Sequence, residues 1–130
     1  MTRILVADDS ATIRKMVRAS LQVLGTSTFA EAASGLEAIE QLAIAPVSLL
    51  VLDLNMPDMH GIDVLRFVRR QTSMRQLPII VLTTRGDDSS RETAQEAGAT
   101  AYLTKPFLPY VLADTARELL AGRSAPVEKP

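Results

Sequence analysis

A doubly wound α/β domain on a five-stranded parallel sheet is the fold this 130-residue chain predicts, on three observations. Short apolar runs alternate five times with segments of helical period. The strongest runs are apolar throughout rather than every second residue, as strands covered on both faces are. Acidic, hydroxyl and ammonium side chains recur where these runs end. Five β–α units in series place the strands parallel, with right-handed crossovers and helices on both faces.

The elements follow in order. Ile4-Leu5-Val6-Ala7 is a continuous apolar strand. Ile13, Met16, Val17, Ser20, Leu21 and Leu24 then share one helical face, with Arg14, Lys15 and Arg18 toward solvent and Gly25 closing the helix. Phe29-Ala30-Glu31-Ala32 is a weaker strand. Gly35, Ala38, Ile39, Leu42 and Ala43 stripe a second helix that stops before Pro46. Val47 to Leu52 is the strongest strand and runs into Asp53; Gly61, Val64, Leu65 and Val68 mark the helix after it. Residues 78–82 form a fourth strand ending on Thr83, and 88–97 a polar helix with little more than Ala94 and Ala97 to bury. Ala101-Tyr102-Leu103 leads to Lys105-Pro106, and Leu108, Val111, Leu112, Thr115, Ala116 and Leu119 stripe the last helix, with Pro109 in its first turn. Residues 1–122 read as one domain, and 123–130 as a tail or the start of a linker.

Composition narrows the function. Fourteen Lys plus Arg against 15 Asp plus Glu gives a net charge of −1, which asks for neither nucleic acid nor an anionic membrane. Without Cys there are no disulfides, thiolate metal sites or thiol nucleophile. No apolar stretch is long enough to span a bilayer, and a strand beginning right after Met1-Thr2-Arg3 leaves no room for a signal peptide. A cytoplasmic location is the expectation.

In an open parallel sheet, ligands sit beyond the carboxyl ends of the strands, where the strand order reverses. The residues there are Asp8 and Asp9, Asp53, Thr83 and Lys105. One Asp after a strand is commonly only a helix cap, and Asp9 or Ser10 could cap the first helix. Three together are harder to keep: two carboxylates about 4 Å apart repel by about 4 kcal/mol at an effective dielectric of 20. Either one takes a proton or a cation neutralises the group. With oxygen ligands only, the cation is hard: Mg²⁺ first, and Mn²⁺ or Ca²⁺ next. A hydroxyl and an ammonium at the same edge suit a phosphoryl group, so a carboxylate among them can become an aspartyl phosphate. No glycine-rich phosphate loop competes, and Asp8-Asp9-Ser10 is acidic where a nucleotide phosphate would need bare N–H groups. His60, the sole histidine, reads as a loop residue.

Val6-Ala7-Asp8-Asp9-Ser10, Asp53-Leu54-Asn55-Met56-Pro57-Asp58 with Gly61, Leu82-Thr83, Ala97-Gly98-Ala99 and Tyr102-Leu103-Thr104-Lys105-Pro106-Phe107 occur in this order. Together they make residues 3–121 resemble the receiver domains of bacterial two-component response regulators, most of all the single-domain chemotaxis type. The resemblance implies a flavodoxin-like (βα)5 fold with strand order 2-1-3-4-5. It implies that Asp53 is the phosphoacceptor and that Asp8, Asp9, Asp53 and the backbone carbonyl of Asn55 hold Mg²⁺. It also implies that Thr83 and Lys105 bind the phosphoryl group, that Thr83 and Tyr102 form the switch, and that the bond before Pro106 is cis. Asn55 and Arg85 would set how long the phosphoryl group lasts. The donor would be a sensor histidine kinase or phosphotransfer protein, and a downstream protein would read the face of helix 4, strand 5 and helix 5. The chain would be a monomer or a weak phosphorylation-dependent dimer, and no enzyme beyond its own phosphorylation and dephosphorylation.

Two rivals remain at this stage. An aspartyl phosphatase would have a second Asp two residues after the nucleophile, where this chain has Asn55. A receiver-shaped module without phosphorylation would have lost an acidic or Lys position, and all are present.

Overall fold

The computed structural model describes residues 2–25, 27–84 and 88–122. Strands β1 (Thr2–Ala7), β2 (Ser27–Ala32), β3 (Leu49–Asp53), β4 (Ile79–Thr84) and β5 (Ala101–Lys105) alternate with five helices. These are α1 (Ala11–Leu21), α2 (Gly35–Ile44), α3 (Gly61–Arg70), α4 (Asp88–Ala97) and α5 (Pro109–Leu120). The strands form one parallel sheet in the order β2-β1-β3-β4-β5, as the resemblance implied.

Alternation along each strand builds two cores. Leu5, Leu50, Leu52, Ile79 and Val81 face α2, α3 and α4; Ile4, Val6, Leu49, Val51, Ile80 and Leu82 face α1 and α5. Both faces are covered, which is why β3 and β4 read as unbroken apolar runs. Each fully buried Leu or Ile contributes about 1.5–3 kcal/mol, so the strand ends at the sheet's centre are held on stiff supports.

The helices start where the chain supplies caps. Ser10 Oγ accepts from the Ile13 N–H at 3.2 Å. Ser34 Oγ accepts from Glu37 N at 3.1 Å, while Glu37 reaches back to accept from Ala33 N. His60 is the last residue of its loop and caps the helix that follows: its Nδ1 accepts from Ile62 N at 3.1 Å at the start of α3. Among the described residues, no helix is long and apolar enough to cross a membrane.

Three details of the sequence reading change. The α-helical part of α1 ends at Leu21, and a tighter turn at Gln22–Leu24 carries the chain to Gly25, whose φ is +94°. Met16 is 40% exposed rather than core. Arg14 does not point to solvent and Arg18 does so only in part; both lie over edge strand β2 and pair with Glu31, at 2.8 and 2.6 Å. Helical period alone could not show this, because it assigns a face without saying what stands opposite. The polar α4 buries Ala94 completely and Ala97 in part. Its far end is held by Arg69 of α3, which donates two hydrogen bonds to the Gly98 carbonyl, at 2.9 and 2.8 Å.

Gly61 packs where no side chain fits. A Cβ there would lie 2.7 Å from the Asp53 carbonyl oxygen and 2.7 Å from Leu54 Cα, both backbone atoms. Gly61→Ala is expected to destabilise the fold by about 1–3 kcal/mol, as overpacking does, read as a lower urea midpoint at unchanged m-value.

Candidate functional site

β1 hands the chain to β2 on one side and borders β3 on the other, so the strand order reverses between β1 and β3. A crevice opens at the carboxyl ends of these two strands. Asp8 follows β1 directly and is fully buried, its N–H still donating to the Ala32 carbonyl at 3.0 Å. Asp9 is next in the chain and exposed. Asp53 ends β3 and is buried. One oxygen from each of these three carboxylates lies within 4.8 Å of the others.

Lys105 ends β5 and reaches across β4 into the same place. Its Nζ is 2.8 Å from Asp8 Oδ2 and 3.3 Å from Asp53 Oδ1. The peptide bond that follows it, to Pro106, is cis. Thr83 is buried on β4, level with Thr104 of β5 and one residue beyond Leu82, the partner of Asp53. Two backbone donors complete the cluster: Ser10 N to Asp8 Oδ1 at 2.9 Å and Asn55 N to Asp53 Oδ1 at 3.2 Å.

Burial pushes the Asp53 carboxyl above its ordinary range, and the charge of Asp8 adds to this; the Asn55 N–H and Lys105 pull the other way and only partly offset it. For Lys105, burial disfavours the ammonium, but its bond to Asp8 and the charges of Asp53 and Asp8 outweigh that and hold its pKa above the usual value. Lys105 is therefore a cation at neutral pH. Three carboxylates against this one ammonium leave two negative charges uncompensated when all are ionised. Oxygen-only donors, so spaced and with that residual charge, fit a divalent hard cation.

The loop after β3 forms the rim. Asn55 and His60 bridge across it, and an open depression of about 450 Å³ is lined by Asp9, Asn55, Met56, Asp58 and His60, among others. Asp58 ties this loop to α2: its two oxygens accept from Gly35 N at 2.9 Å and Leu36 N at 3.0 Å. Those N–H groups hold the Asp58 carboxyl below its usual range. Tyr102 of β5 is half-buried, with the Arg91 guanidinium 4.1 Å from its ring centroid. Arg85 lies outside the described residues, as do 123–130.

Sequence reasoning picked out Asp8, Asp9, Asp53 and Lys105, and the structure brings them together. It missed the groups that support them. Arg14 Nη1 donates to the Asp8 carbonyl at 2.7 Å while its Nε bonds Glu31. The available signal was Glu31 itself, the one charged residue of an otherwise uncharged strand, Ser-Thr-Phe-Ala-Glu-Ala. Asp58 stood in the stretch that carries the resemblance, but its role did not show, since its partners are backbone groups of another element.

Acidic groups fill the first β–α turn, where a nucleotide-binding sheet would present bare amides, so the strand ends suit a cation rather than a nucleotide phosphate. The chain belongs to the response regulator receiver domain family, which matches residues 4–117. Chemotaxis protein CheY1 of Helicobacter pylori is 41% identical over 111 residues, covering 85% of this chain and 90% of that protein. A chemotaxis protein CheY homolog of Campylobacter jejuni is 37% identical over 123 residues, covering 94% and 95%. The chemotaxis response regulator CheY4 of Vibrio cholerae superposes with a TM-score of 0.82 at 36% identity, over 90% of this chain and 97% of that one.

Proposed function

We propose that Asp53 accepts a phosphoryl group from a phosphohistidine of a sensor kinase or phosphotransfer protein, in the cytoplasm, and that this changes the face of α4, β5 and α5 read by a downstream protein. The observation that carries the reading is the buried Asp53 carboxylate with a lysine ammonium 3.3 Å away and two further carboxylates beside it. Asp8, Asp9, Asp53 and the Asn55 carbonyl would hold Mg²⁺. When bound, the ion supplies positive charge that keeps Asp53 ionised and offsets the charge of the incoming phosphoryl oxygens.

Asp53 Oδ1 is already engaged by the Asn55 N–H and by Lys105, which leaves Oδ2 to attack phosphorus. The new O–P bond forms as the P–N bond to the donor imidazole breaks, and the electron pair returns to the ring. An acyl phosphate remains on Asp53, whose oxygens Lys105 and the Thr83 hydroxyl would bind. Drawing Thr83 toward Asp53 opens space behind it, into which Tyr102 can turn from the neighbouring strand. That movement breaks the Arg91 stack on Tyr102, a contact of about 0.5–1 kcal/mol at an exposed site, small enough for phosphorylation to shift the population.

Acetyl phosphate with Mg²⁺ is expected to add one hydroxylamine-labile phosphoryl group, and a chelator to abolish the addition; labelling that persists in chelator removes the metal from the reading. Thr83→Ala is expected to accept phosphate more slowly and to lose most of the phosphorylation-induced amide shifts across residues 88–112. The full wild-type shift pattern in that variant would remove Thr83 from the route to the surface.

A further inference from the structure

Every polar atom of Asp8 has a partner, and two of these partners, the Ala32 carbonyl and Arg14, come from outside the cluster. Its N–H bonds the Ala32 carbonyl, Oδ1 takes the Ser10 N–H and Oδ2 takes Lys105. The Asp8 carbonyl takes Arg14 Nη1, at 2.7 Å the shortest of the four. Arg14 is fixed in turn: its Nε bonds Glu31 Oε1 at 2.8 Å, and Glu31 Oε2 takes Arg18 at 2.6 Å. The two arginines hold the Glu31 carboxyl below its usual range, Arg14 first. The Arg14 side chain is 17% exposed, against 34% for Glu31 and 43% for Arg18, so Arg14 is the sheltered member of the three.

The Asp8 carbonyl and the Asp9 N–H belong to one rigid peptide plane. Holding that carbonyl therefore sets where the Asp9 side chain leaves the backbone. We infer that Arg14, braced by Glu31, is a positioning residue that aligns Asp8 and Asp9 for a divalent cation. The inference rests on the metal-binding reading above and goes beyond it, because Arg14 donates to no carboxylate of the cluster and would touch neither ion nor phosphate.

Two effects of Arg14 oppose each other, and this makes the idea testable. As a nearby cation it repels Mg²⁺, so simple electrostatics predicts tighter binding once its charge is removed. As a brace it orders the ligands, so loss of the brace weakens binding; groups that orient metal ligands typically matter by about 10–100-fold in affinity. Arginine can hold a carbonyl and a carboxylate at once through separate N–H groups of its planar fork, whereas lysine's point charge cannot reproduce that geometry.

The experiment is Mg²⁺ titration, followed by amide NMR shifts, of wild type, Arg14→Gln and Arg14→Lys, at low and at high salt. Both variants are expected to bind Mg²⁺ about tenfold more weakly, with Arg14→Lys no better than Arg14→Gln. The loss should persist at high salt, where through-space charge effects are screened. Unchanged or tighter binding in Arg14→Gln, or full rescue by Arg14→Lys, overturns the positioning role. If Arg14→Gln fails to fold, Arg14→Lys alone decides: wild-type affinity in it sinks the inference. Absence of Mg²⁺ binding in wild type would instead sink the metal-site reading, so the two failures are distinguishable.

Discussion

Asp53→Asn should take up no phosphoryl group from acetyl phosphate and, in metal-free buffer at pH 7, should melt at a higher temperature than wild type. The first effect follows from chemistry: the amide has the shape of the carboxylate but no nucleophilic oxygen anion. The second follows from burial. Asp53 is 3% exposed, beside Asp8, and its carboxyl is held above its ordinary range. A raised carboxyl means that the folded state binds the proton more tightly than the unfolded state. Its contribution to stability is therefore present below the unfolded value of about 4 and is lost as pH rises through the folded value.

At pH 7, ionised Asp53 opposes folding, and Asn removes that opposition. A relief of about 1 kcal/mol corresponds to about 4 °C for a domain of this size. The difference between variant and wild type should shrink as pH falls and wild-type Asp53 takes up its proton. Mg²⁺ should reverse the order, since an ion bound only by the folded state stabilises wild type by mass action. Thermal melts at pH 4 and 7, with and without Mg²⁺, check all of this. Equal melting temperatures in metal-free buffer at pH 7 would show that the buried charge is compensated, and robust labelling of Asp53→Asn at another residue would sink the acceptor assignment.

Asp9→Ala is expected to weaken Mg²⁺ binding by at least about 100-fold, since removal of a direct ligand should exceed the effect of removing a group that only orients one. Asp9 is exposed and outside the core, so the substitution should not lower metal-free stability; easing repulsion from Asp8 and Asp53 should raise it slightly. Labelling by acetyl phosphate should fall with the metal and recover only partly at high Mg²⁺. The combination matters: Asp9→Ala keeps the nucleophile and loses the ion, whereas Asp53→Asn loses the nucleophile itself. Wild-type Mg²⁺ affinity in Asp9→Ala would exclude it as a ligand.

Much of this arrangement was legible along the chain. Continuous apolar runs at 4–7 and 49–52 marked strands covered on both faces, and the residues ending them marked the crevice. Local groups were legible too, because a cap such as Ser10 acts within three residues of itself. The register of Arg14 and Arg18 over Glu31 was not, since helical period says which side of α1 is polar but not that an edge strand with one carboxylate lies beneath it. Met16 was misplaced for the same reason: its position on the stripe is inward for a helix fully covered by sheet, and α1 is not covered there.

By itself, the sequence determined the fold class, the order of elements and the chemistry available at each strand end, because these depend on side-chain pattern and composition over short stretches. Tertiary structure alone decided which of those groups meet. Lys105 finds Asp8 across 97 residues only because β5 lies three strands from β1 and its side chain reaches over the ends of the strands between them. Arg14 grips the Asp8 carbonyl only because β2 sets Glu31 where it can hold the guanidinium. Strand order follows from how whole faces bury against one another, a sum over the entire core that no local run of residues encodes.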